Sequence, residues 1–196
     1  MATLYLIRHP LTQPDPAQPA SQWALAPAGH EQVAALVAAP LWNIVTRIYT
    51  SGHGKARIVG EAIHHAHDIP HTVIDDLQEA QRDHFLDNEQ FLAAQQRFFA
   101  EPDRAPVPEW EMARAAGERF ARAMQQILTT HPAAESLAVV SHATVLTLYV
   151  ARLRGEAPSF DFWQTIGFGE VLAVDRATQQ PITGFLAAPF DGLYSS

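Results

Sequence analysis

The sequence predicts a three-layer α/β/α domain built around a mostly parallel central sheet. Short apolar runs rich in β-branched residues alternate along the chain with stretches whose apolar residues recur at helical spacing. This alternation is typical of strand–helix–strand units, which bury a parallel sheet between two layers of helices. The length of 196 residues, with no internal repeat and no long linker, favours one domain spanning residues 1–196.

Strands are predicted where the apolar runs are short, and helices where the apolar stripes are long. The predicted strands are Thr3–Ile7, Ile44–Tyr49, Thr72–Ile74 and Leu137–Val140. One or two further edge strands are expected within Gly167–Val174 and Pro181–Phe185. The predicted helices are Pro27–Ala39, Trp110–Thr130 and Thr144–Leu153. Two proline-rich stretches are expected to be loops, at Leu11–Pro19 and Glu101–Pro108.

The composition excludes several classes of function. The chain has no cysteine, which excludes disulfides, thiolate zinc sites and a cysteine nucleophile. Its 13 basic and 21 acidic residues give a net charge of −8, which argues against binding to nucleic acids. No apolar stretch approaches the roughly 20 residues that a membrane span needs, so we expect a soluble cytoplasmic protein. Because the net charge is negative, any site that binds an anion must be formed by a local group of residues.

The residues best suited to chemistry follow the predicted strands. Arg8 and His9 come directly after the first strand, and Ser141-His142-Ala143 follow the strand at Leu137–Val140 and precede a helix. A third strand end leads through Gly52-His53-Gly54 into a helix with Lys55 in its first turn. Ligands of open α/β sheets bind beyond the carboxyl ends of strands, and helix N-termini present free N–H groups to anions. We expect these groups to line one crevice.

Five motifs, in this order, carry a resemblance to a known family. They are LYLIRHPLT at the first strand, Leu25–Gln32, Tyr49–Ile63, Leu77-Gln78-Glu79 and Val139–Ala143. Over roughly residues 3 to 153 the chain resembles the histidine phosphatase superfamily, which has the phosphoglycerate-mutase-like fold. The resemblance implies a phosphate-handling enzyme of that fold, with a small helical insertion at about residues 81–108 that covers the site.

The resemblance assigns the phosphoryl-transfer chemistry to three residues. It makes His9 the covalent nucleophile, a role that suits a neutral imidazole because the ordinary histidine pKa lies near 6.5. It makes Arg8 the clamp on the phosphoryl oxygens, which a guanidinium engages with a planar fork of donors. It makes His142 a donor to a phosphoryl oxygen, helped by backbone N–H groups at the start of the following helix.

The same resemblance implies roles for further residues. Glu79 matches the general acid, a role that needs a carboxyl group able to hold a proton. Lys55 and Ala143 are expected to bind the phosphate, while Thr12 and Arg82 are expected near the substrate, with Asp83 beside Arg82. For Arg82, a surface salt bridge is an equally good interpretation.

Four positions depart from the family pattern. Pro10 and Ala143 stand where the family usually has glycine, and Asp15 stands where its opening motif often has asparagine. Lys55 replaces an arginine, which keeps the charge but loses the bidentate fork. Pro10 removes an N–H group, and a carboxylate at Asp15 repels a phosphate unless it turns away.

A histidine cluster and an acidic pair raise the question of a metal site. The histidines of His64-His65-Ala66-His67 fan around a helix end, and neither they nor His71 are joined by a carboxylate pair that would complete a ligand set. Asp75-Asp76 is more typical of a turn or a helix cap. We therefore expect no metal and no cofactor.

The expected function is metal-independent hydrolysis of a phosphomonoester through a phosphohistidine on His9. A phosphatase is favoured over a mutase because the chain is short and because no histidine-tyrosine-glycine run follows Glu79. Two alternatives stay open: a catalytically silent module that binds a phosphate ligand or regulates, and a phosphatase for phosphohistidine or phosphoserine in a protein. The expected partner is thus a small phosphorylated substrate or a phosphoprotein, and the oligomeric state is not predicted.

Overall fold

A five-stranded sheet forms the centre of the computed structural model, which describes residues 2–82 and 85–193. Its strands are β1 (Thr3–Arg8), β2 (Val45–Thr50), β3 (His71–Val73), β4 (Ser136–Ser141) and β5 (Val171–Asp175). The strands lie in the order β3-β2-β4-β1-β5. All neighbours pair in parallel except β5, which runs antiparallel to β1 at the edge. The predicted α/β fold with a mostly parallel sheet is confirmed.

Helices cover both faces of the sheet. The helices in the described residues are α1 (Pro27–Val37), α2 (Gly54–His67), α3 (Asn88–Ala100), α4 (Ala113–Thr130), α5 (Ala143–Arg154) and α6 (Phe160–Thr165). Alternate residues of β1 point to opposite faces, as the two-residue period of a strand requires. Leu4 and Leu6 pack in a core with residues of α4 and α5, whereas Tyr5 and Ile7 pack in a second core with residues of α1 and α2.

Two predicted segments differ from the structure. Helix α4 begins at Ala113 instead of Trp110, because the backbone N–H of Glu111 donates to the carbonyl of Gln81 and so belongs to a loop. Pro181–Phe185 forms no strand within the described residues: Pro181 makes only an isolated bridge with Val174, and proline cannot donate to a sheet ladder. The other predicted strands and helices agree with the structure to within a few residues at their ends.

Helix α3 lies within residues 81–108, the segment for which a helical insertion is expected. It begins after Asp87, whose Oδ1 accepts the backbone N–H of Gln90 at 2.9 Å and so caps the helix. Its buried residues include Phe98 and Phe99, which join the core that also holds α4 and α5. Among all described residues, no helix combines the length and the apolarity needed to cross a membrane.

Arg176, directly after β5, ties the sheet edge to the end of α4. Its side chain is almost fully buried and donates hydrogen bonds to the carbonyls of Leu128, His131, Pro132 and Glu135. The last carbonyls of a helix have no partner within the helix, so a buried cation there satisfies them and also complements the helix dipole.

We expect Arg176→Met to lower the free energy of unfolding by about 2–3 kcal/mol, because it leaves several buried carbonyls without a donor. The control is Arg122→Met, which removes an exposed arginine from α4 itself and should change stability by less than about 0.5 kcal/mol. Urea denaturation of the three proteins measures the difference. Equal stabilities of the two variants would contradict the role of Arg176.

Candidate active site

The carboxyl ends of β1, β4 and β2 bring three histidines together. His9 follows β1, His142 follows β4, and His53 follows β2 and precedes α2. The ring centroids of His9 and His142 lie 4.9 Å apart, and those of His142 and His53 lie 4.8 Å apart. Because β4 lies between β1 and β2 in a parallel arrangement, all three strands end at one edge of the sheet. The side chains that follow these three strands therefore lie close together, as expected for groups at the carboxyl ends of neighbouring parallel strands.

One ring nitrogen of His9 makes a hydrogen bond to the backbone, and the other takes no part in that bond. Its Nδ1 lies 2.7 Å from the carbonyl oxygen of Pro10, a contact in which Nδ1 must carry the proton and donate. The lone pair is then on Nε2. The side chain is buried, and burial together with the neighbouring Lys55 and Arg8 cations lowers the pKa of His9 well below 6.5. His9 is therefore a neutral imidazole near neutral pH, with its unprotonated nitrogen at Nε2.

Arg8 is supported from behind by the loop before β5. Its guanidinium carbon lies 3.6 Å from the ring centroid of Phe168, and one terminal N–H donates to the carbonyl of Ile166. Its Nε is buried without a hydrogen-bond partner among the described residues. Burial lowers the pKa of Arg8 to about 10, opposed by the nearby carboxylates of Glu79 and Glu170. Arg8 therefore stays charged at neutral pH, and its Nε–H group is available as a hydrogen-bond donor.

His142 caps the N-terminus of α5 and is fully buried. Its Nε2 lies 2.7 Å from Oγ of Ser51, whereas its Nδ1 is buried with no partner among the described residues. With Ser51 as the donor, Nδ1 carries the ring proton and remains available as an N–H donor. Burial, and then the nearby His9 and Lys55, lower the pKa of His142 well below 6.5. A neutral histidine donor thus faces the neutral His9.

Glu79 occupies the N-terminus of α5, where the sequence led us to expect a phosphate. Its Oε2 accepts the N–H of Thr144 at 3.2 Å, and its Oε1 accepts the N–H of Val145 at 3.3 Å. These two N–H groups of the helix are therefore occupied by a carboxylate. A single N–H, that of Ala143, has no partner within the described part of the chain. Ala143 lies beside His142, so one backbone donor remains at the site.

Lys55 is buried in the first turn of α2, and its ammonium group makes a hydrogen bond within the protein. Nζ donates to the carbonyl of Ala20 at 2.9 Å and lies 5.9 Å from the ring centroid of Trp23. Its side chain therefore ties α2 to the loop that follows β1. Burial lowers the pKa of Lys55 to about 8, and the Arg82 and Arg8 cations contribute to that shift.

Arg82 and Thr12 occupy very different places. Arg82 is partly buried, with a terminal nitrogen 3.7 Å from Oε2 of Glu79 and its guanidinium carbon 4.9 Å from the ring centroid of Phe91. It therefore pairs with a site residue instead of forming a surface salt bridge. Thr12 is buried in an isolated bridge with Leu25, and no hydrogen bond or ion pair seen in the described residues joins it to the site. Asp83 lies outside the described residues.

The family of this chain is identified by comparison with models of known protein families. The model of the histidine phosphatase superfamily (branch 1) matches residues 4–181. The chain belongs to this superfamily. The resemblance inferred from the motifs is therefore confirmed. No curated protein sequence matches the chain.

Solved structures of low sequence identity share the fold of this superfamily member. YhfR of Bacillus stearothermophilus has a TM-score of 0.73 and 22% identity, with 96% of each chain covered. A phosphoserine phosphatase mutant of Entamoeba histolytica in complex with phosphoserine has a TM-score of 0.73 and 17% identity, covering 94% of this chain and 96% of the other. A mycobacterial glucosyl-3-phosphoglycerate phosphatase with inorganic phosphate has a TM-score of 0.74 and 16% identity, covering 92% and 94%.

Sequence reasoning missed three residues that organise the candidate site. Ser51 bonds His142, and Phe168 packs on Arg8, with its ring centroid 5.5 Å from that of His9. Arg119 pairs with Glu111 at 2.8 Å and donates to the carbonyl of Glu79, so it holds the loop that carries the carboxyl group. Arg119 lies among the buried apolar residues of α4. An arginine on the buried face of a helix was therefore the sequence feature that could have identified it.

The remaining departures and clusters have structural roles. Asp15 turns into its own loop, where Oδ1 accepts the N–H of Ala17 at 2.9 Å and its carbonyl accepts the Trp23 indole N–H at 3.0 Å. His64 and His67 bond the carbonyls of Ile69 and Val37, 2.8 Å away in each case. Within residues 2–82 and 85–193, no group of three or more His, Asp or Glu side chains is placed to hold a metal ion.

The buried charge of Lys55 predicts a gain of stability on its removal. A fall in pKa from 10.5 to about 8 means that the folded state disfavours the charged amine. The loss of the hydrogen bond to the carbonyl of Ala20 costs about 1 kcal/mol, so Lys55→Met should raise the free energy of unfolding at pH 7 by roughly 1–2 kcal/mol. The gain should shrink as pH rises through the window from about 8 to 10.5, because there the unfolded lysine still binds a proton that the folded one has lost.

Urea denaturation of the wild type and Lys55→Met at several pH values, without phosphate, measures this difference. A stability difference that stays constant from pH 7 to 11 would show that the amine titrates normally in the folded state. Arg57→Met provides the control, because Arg57 lies on the same helix in an exposed pair with Glu61.

Proposed function

We propose that the protein is a metal-independent phosphomonoester hydrolase that forms a phosphohistidine on Nε2 of His9. The observation that carries this proposal is the contact between Nδ1 of His9 and the carbonyl of Pro10 at 2.7 Å. It leaves Nε2 unprotonated, while burial keeps the ring neutral. An unprotonated imidazole nitrogen in a crevice of cationic donors is the arrangement that nucleophilic attack on phosphorus needs.

In the first step, Nε2 of His9 attacks phosphorus, the new P–N bond forms and the P–O bond to the leaving group breaks. Negative charge then develops on the phosphoryl oxygens. Arg8, Lys55, the Nδ1–H of His142 and the N–H of Ala143 are the donors suited to stabilise that charge. Glu79, in the same site, is the group proposed to protonate the leaving oxygen.

In the second step, a water molecule attacks phosphorus and the P–N bond breaks, which releases inorganic phosphate and restores the lone pair on Nε2. Glu79 accepts a proton from that water, which reverses its role in the first step. The backbone N–H groups of Thr144 and Val145 and the Arg82 guanidinium fix the carboxyl group for both transfers.

Pro10 is compatible with this chemistry although the family usually has glycine there. Proline removes an N–H group but keeps its carbonyl, and the carbonyl of Pro10 is the acceptor that orients His9. The replacement therefore takes away one donor at the site while the orientation of the nucleophile is retained.

The family and its structural neighbours support a phosphatase. Enzymes among those neighbours are named as phosphatases of phosphoserine and of glucosyl-3-phosphoglycerate. We propose that this chain likewise acts on a small phosphorylated compound or a phosphoprotein, in the cytoplasm.

A catalytically silent phosphate-binding module is the second candidate. One observation favours it: Nζ of Lys55 already donates to the carbonyl of Ala20 at 2.9 Å. A cation engaged in this way has to leave its backbone partner before it can act on a phosphoryl group. Binding without turnover is the behaviour that such a site would show.

His9→Ala should lower kcat on an aryl phosphate by at least three orders of magnitude, because it removes the covalent nucleophile. The wild type should trap a phosphoryl adduct that is stable in alkali and labile in acid, and its activity should survive EDTA. His65→Ala, an exposed histidine on α2, is the matched control and should keep full activity. More than about a tenth of the wild-type rate in His9→Ala, or loss of activity in EDTA that a divalent metal restores, would refute the mechanism.

Variants of Lys55 separate the two candidate functions. For a phosphatase, Lys55→Arg should keep or raise kcat/KM, and Lys55→Ala should lower it by about 10- to 1,000-fold, as the loss of one electrostatic donor does elsewhere. For a silent module, wild type and both variants should show no turnover, and calorimetry should detect changed phosphate affinity alone. Unchanged rate and affinity in Lys55→Ala would place this side chain outside the site's function.

A further inference from the structure

A cavity of about 470 Å³ opens beside the phosphate-binding residues. Its lining includes His53 and Lys55, which also belong to the site, together with Gly52, Ser21, Trp23 and Ile58. The volume falls within the range of pockets that hold small organic ligands, roughly 300–1,000 Å³. Because His53 and Lys55 belong both to the cavity and to the site, a leaving group attached to a bound phosphoryl group can extend into this cavity.

The wall of the cavity offers an aromatic face in a fixed position. The indole N–H of Trp23 donates to the carbonyl of Asp15 at 3.0 Å and to that of Gln18 at 3.2 Å, which anchors the ring. Phe85 extends the aromatic surface, with its ring centroid 6.4 Å from that of Trp23. Both Phe85 and Ile58 are exposed, at 47% and 39%. Large apolar side chains exposed around a cavity mark a surface that binds apolar groups.

The charge at the site leaves no cation for a second anionic group. Three cations lie there, Arg8, Lys55 and Arg82, and the carboxylates of Glu79 and Glu170 act on them from close by. Glu170 offsets one of the three positive charges, and Glu79 offsets another when it is ionised. Even when Glu79 carries the proton that the proposed first step transfers, the surplus of two positive charges only equals the charge of a phosphoryl dianion, so the phosphoryl group alone consumes it.

The surroundings of the cavity add negative charge. Oδ1 of Asp75 lies 2.5 Å from the position that a Cβ atom on Gly52 would take, so this carboxylate is close to the cavity wall. Arg57, the residue before Ile58, pairs with Glu61 at 2.8 Å on the exposed face of α2, and Arg119 pairs with Glu111 at 2.8 Å. A carboxylate on a leaving group would therefore lose part of its hydration against the apolar wall without gaining a cationic partner, which is unfavourable.

We infer that the cavity bounded by Trp23 and Ile58 binds the leaving group of the substrate, and that this group is planar, apolar and uncharged, as in an aryl phosphate. The inference rests on the proposed phosphatase function and specifies its substrate class. It sets this chain apart from the phosphatases of phosphoserine and glucosyl-3-phosphoglycerate among its structural neighbours, because both of those compounds carry a carboxylate.

Three aryl phosphates with leaving groups of similar basicity test the inference on the wild-type protein. We expect kcat/KM to rise from phenyl to 2-naphthyl phosphate and to fall by about 10-fold or more from phenyl to 3-carboxyphenyl phosphate, since the added carboxylate lacks a partner. Turnover of all three with equal efficiency, or a preference for the carboxylate, would overturn the inference while leaving the phosphatase function intact.

Variants at Trp23 and Ile58 locate the effect in the cavity. Trp23→Ala should abolish the advantage of 2-naphthyl over phenyl phosphate, mainly through KM, and Trp23→Phe should restore it in part. Ile58→Lys supplies the missing cation and should improve kcat/KM for 3-carboxyphenyl relative to phenyl phosphate by about 5-fold. The control Ile182→Lys, at another exposed isoleucine outside the cavity, should leave this ratio unchanged. An unchanged substrate ratio in both Trp23→Ala and Ile58→Lys would reject the assignment.

Binding measurements keep the inference testable if none of the compounds is hydrolysed. Calorimetry then compares benzylphosphonate, which has an apolar aryl group, with phosphonoacetate, which has a carboxylate in its place. Tighter binding of benzylphosphonate supports the inferred ligand class even though the proposed hydrolase function has failed. Equal or tighter binding of phosphonoacetate overturns the inference.

Discussion

The parallel pairing of β1 with β4 is the constraint on which the whole site depends. In this register Arg8 lies opposite Ser141, and the ladder continues one residue further, where the N–H of His9 donates to the carbonyl of Ser141 at 2.9 Å. The next residue of each strand is therefore a histidine. A shift of one residue would turn one of the two rings to the other face of the sheet, because side chains alternate along a strand.

Burial determines how the charges of this site behave. His9 and His142 are neutral because the desolvation of an imidazolium in this crevice is not compensated by a contacting carboxylate. Arg8 remains charged at neutral pH because its intrinsic pKa is so high that burial lowers it only to about 10. Lys55 starts from a lower pKa, so the same effect brings it close to physiological pH. Arginine and lysine thus differ in how far their charge survives burial in the same environment, in addition to the different geometry of their donors.

The sequence was sufficient to predict the strands and the residues at their ends, because both depend on local patterns. The predicted run Thr3–Ile7 is largely apolar, and Pro10 prevents the strand from continuing, so the position of His9 followed from neighbours within a few residues. The contact of Glu79 with the N-terminus of α5 joins residues 65 apart, and no local pattern encodes it. The bond of Lys55 to the carbonyl of Ala20 depends in turn on how a proline-rich loop folds back over α2. Tertiary contacts of single side chains were therefore beyond prediction.

Lys55 is also the only lysine in the chain. A buried amine with a pKa of about 8 is partly uncharged near neutral pH, and only the uncharged form is nucleophilic. Amine-selective reagents thus have a single side-chain target, besides an α-amino group, and a bound anion that covers Nζ slows the reaction at that target. Reductive methylation with an isotope label places a single side-chain resonance at the candidate active site. The occupancy of the site can then be followed in solution without any introduced reporter residue.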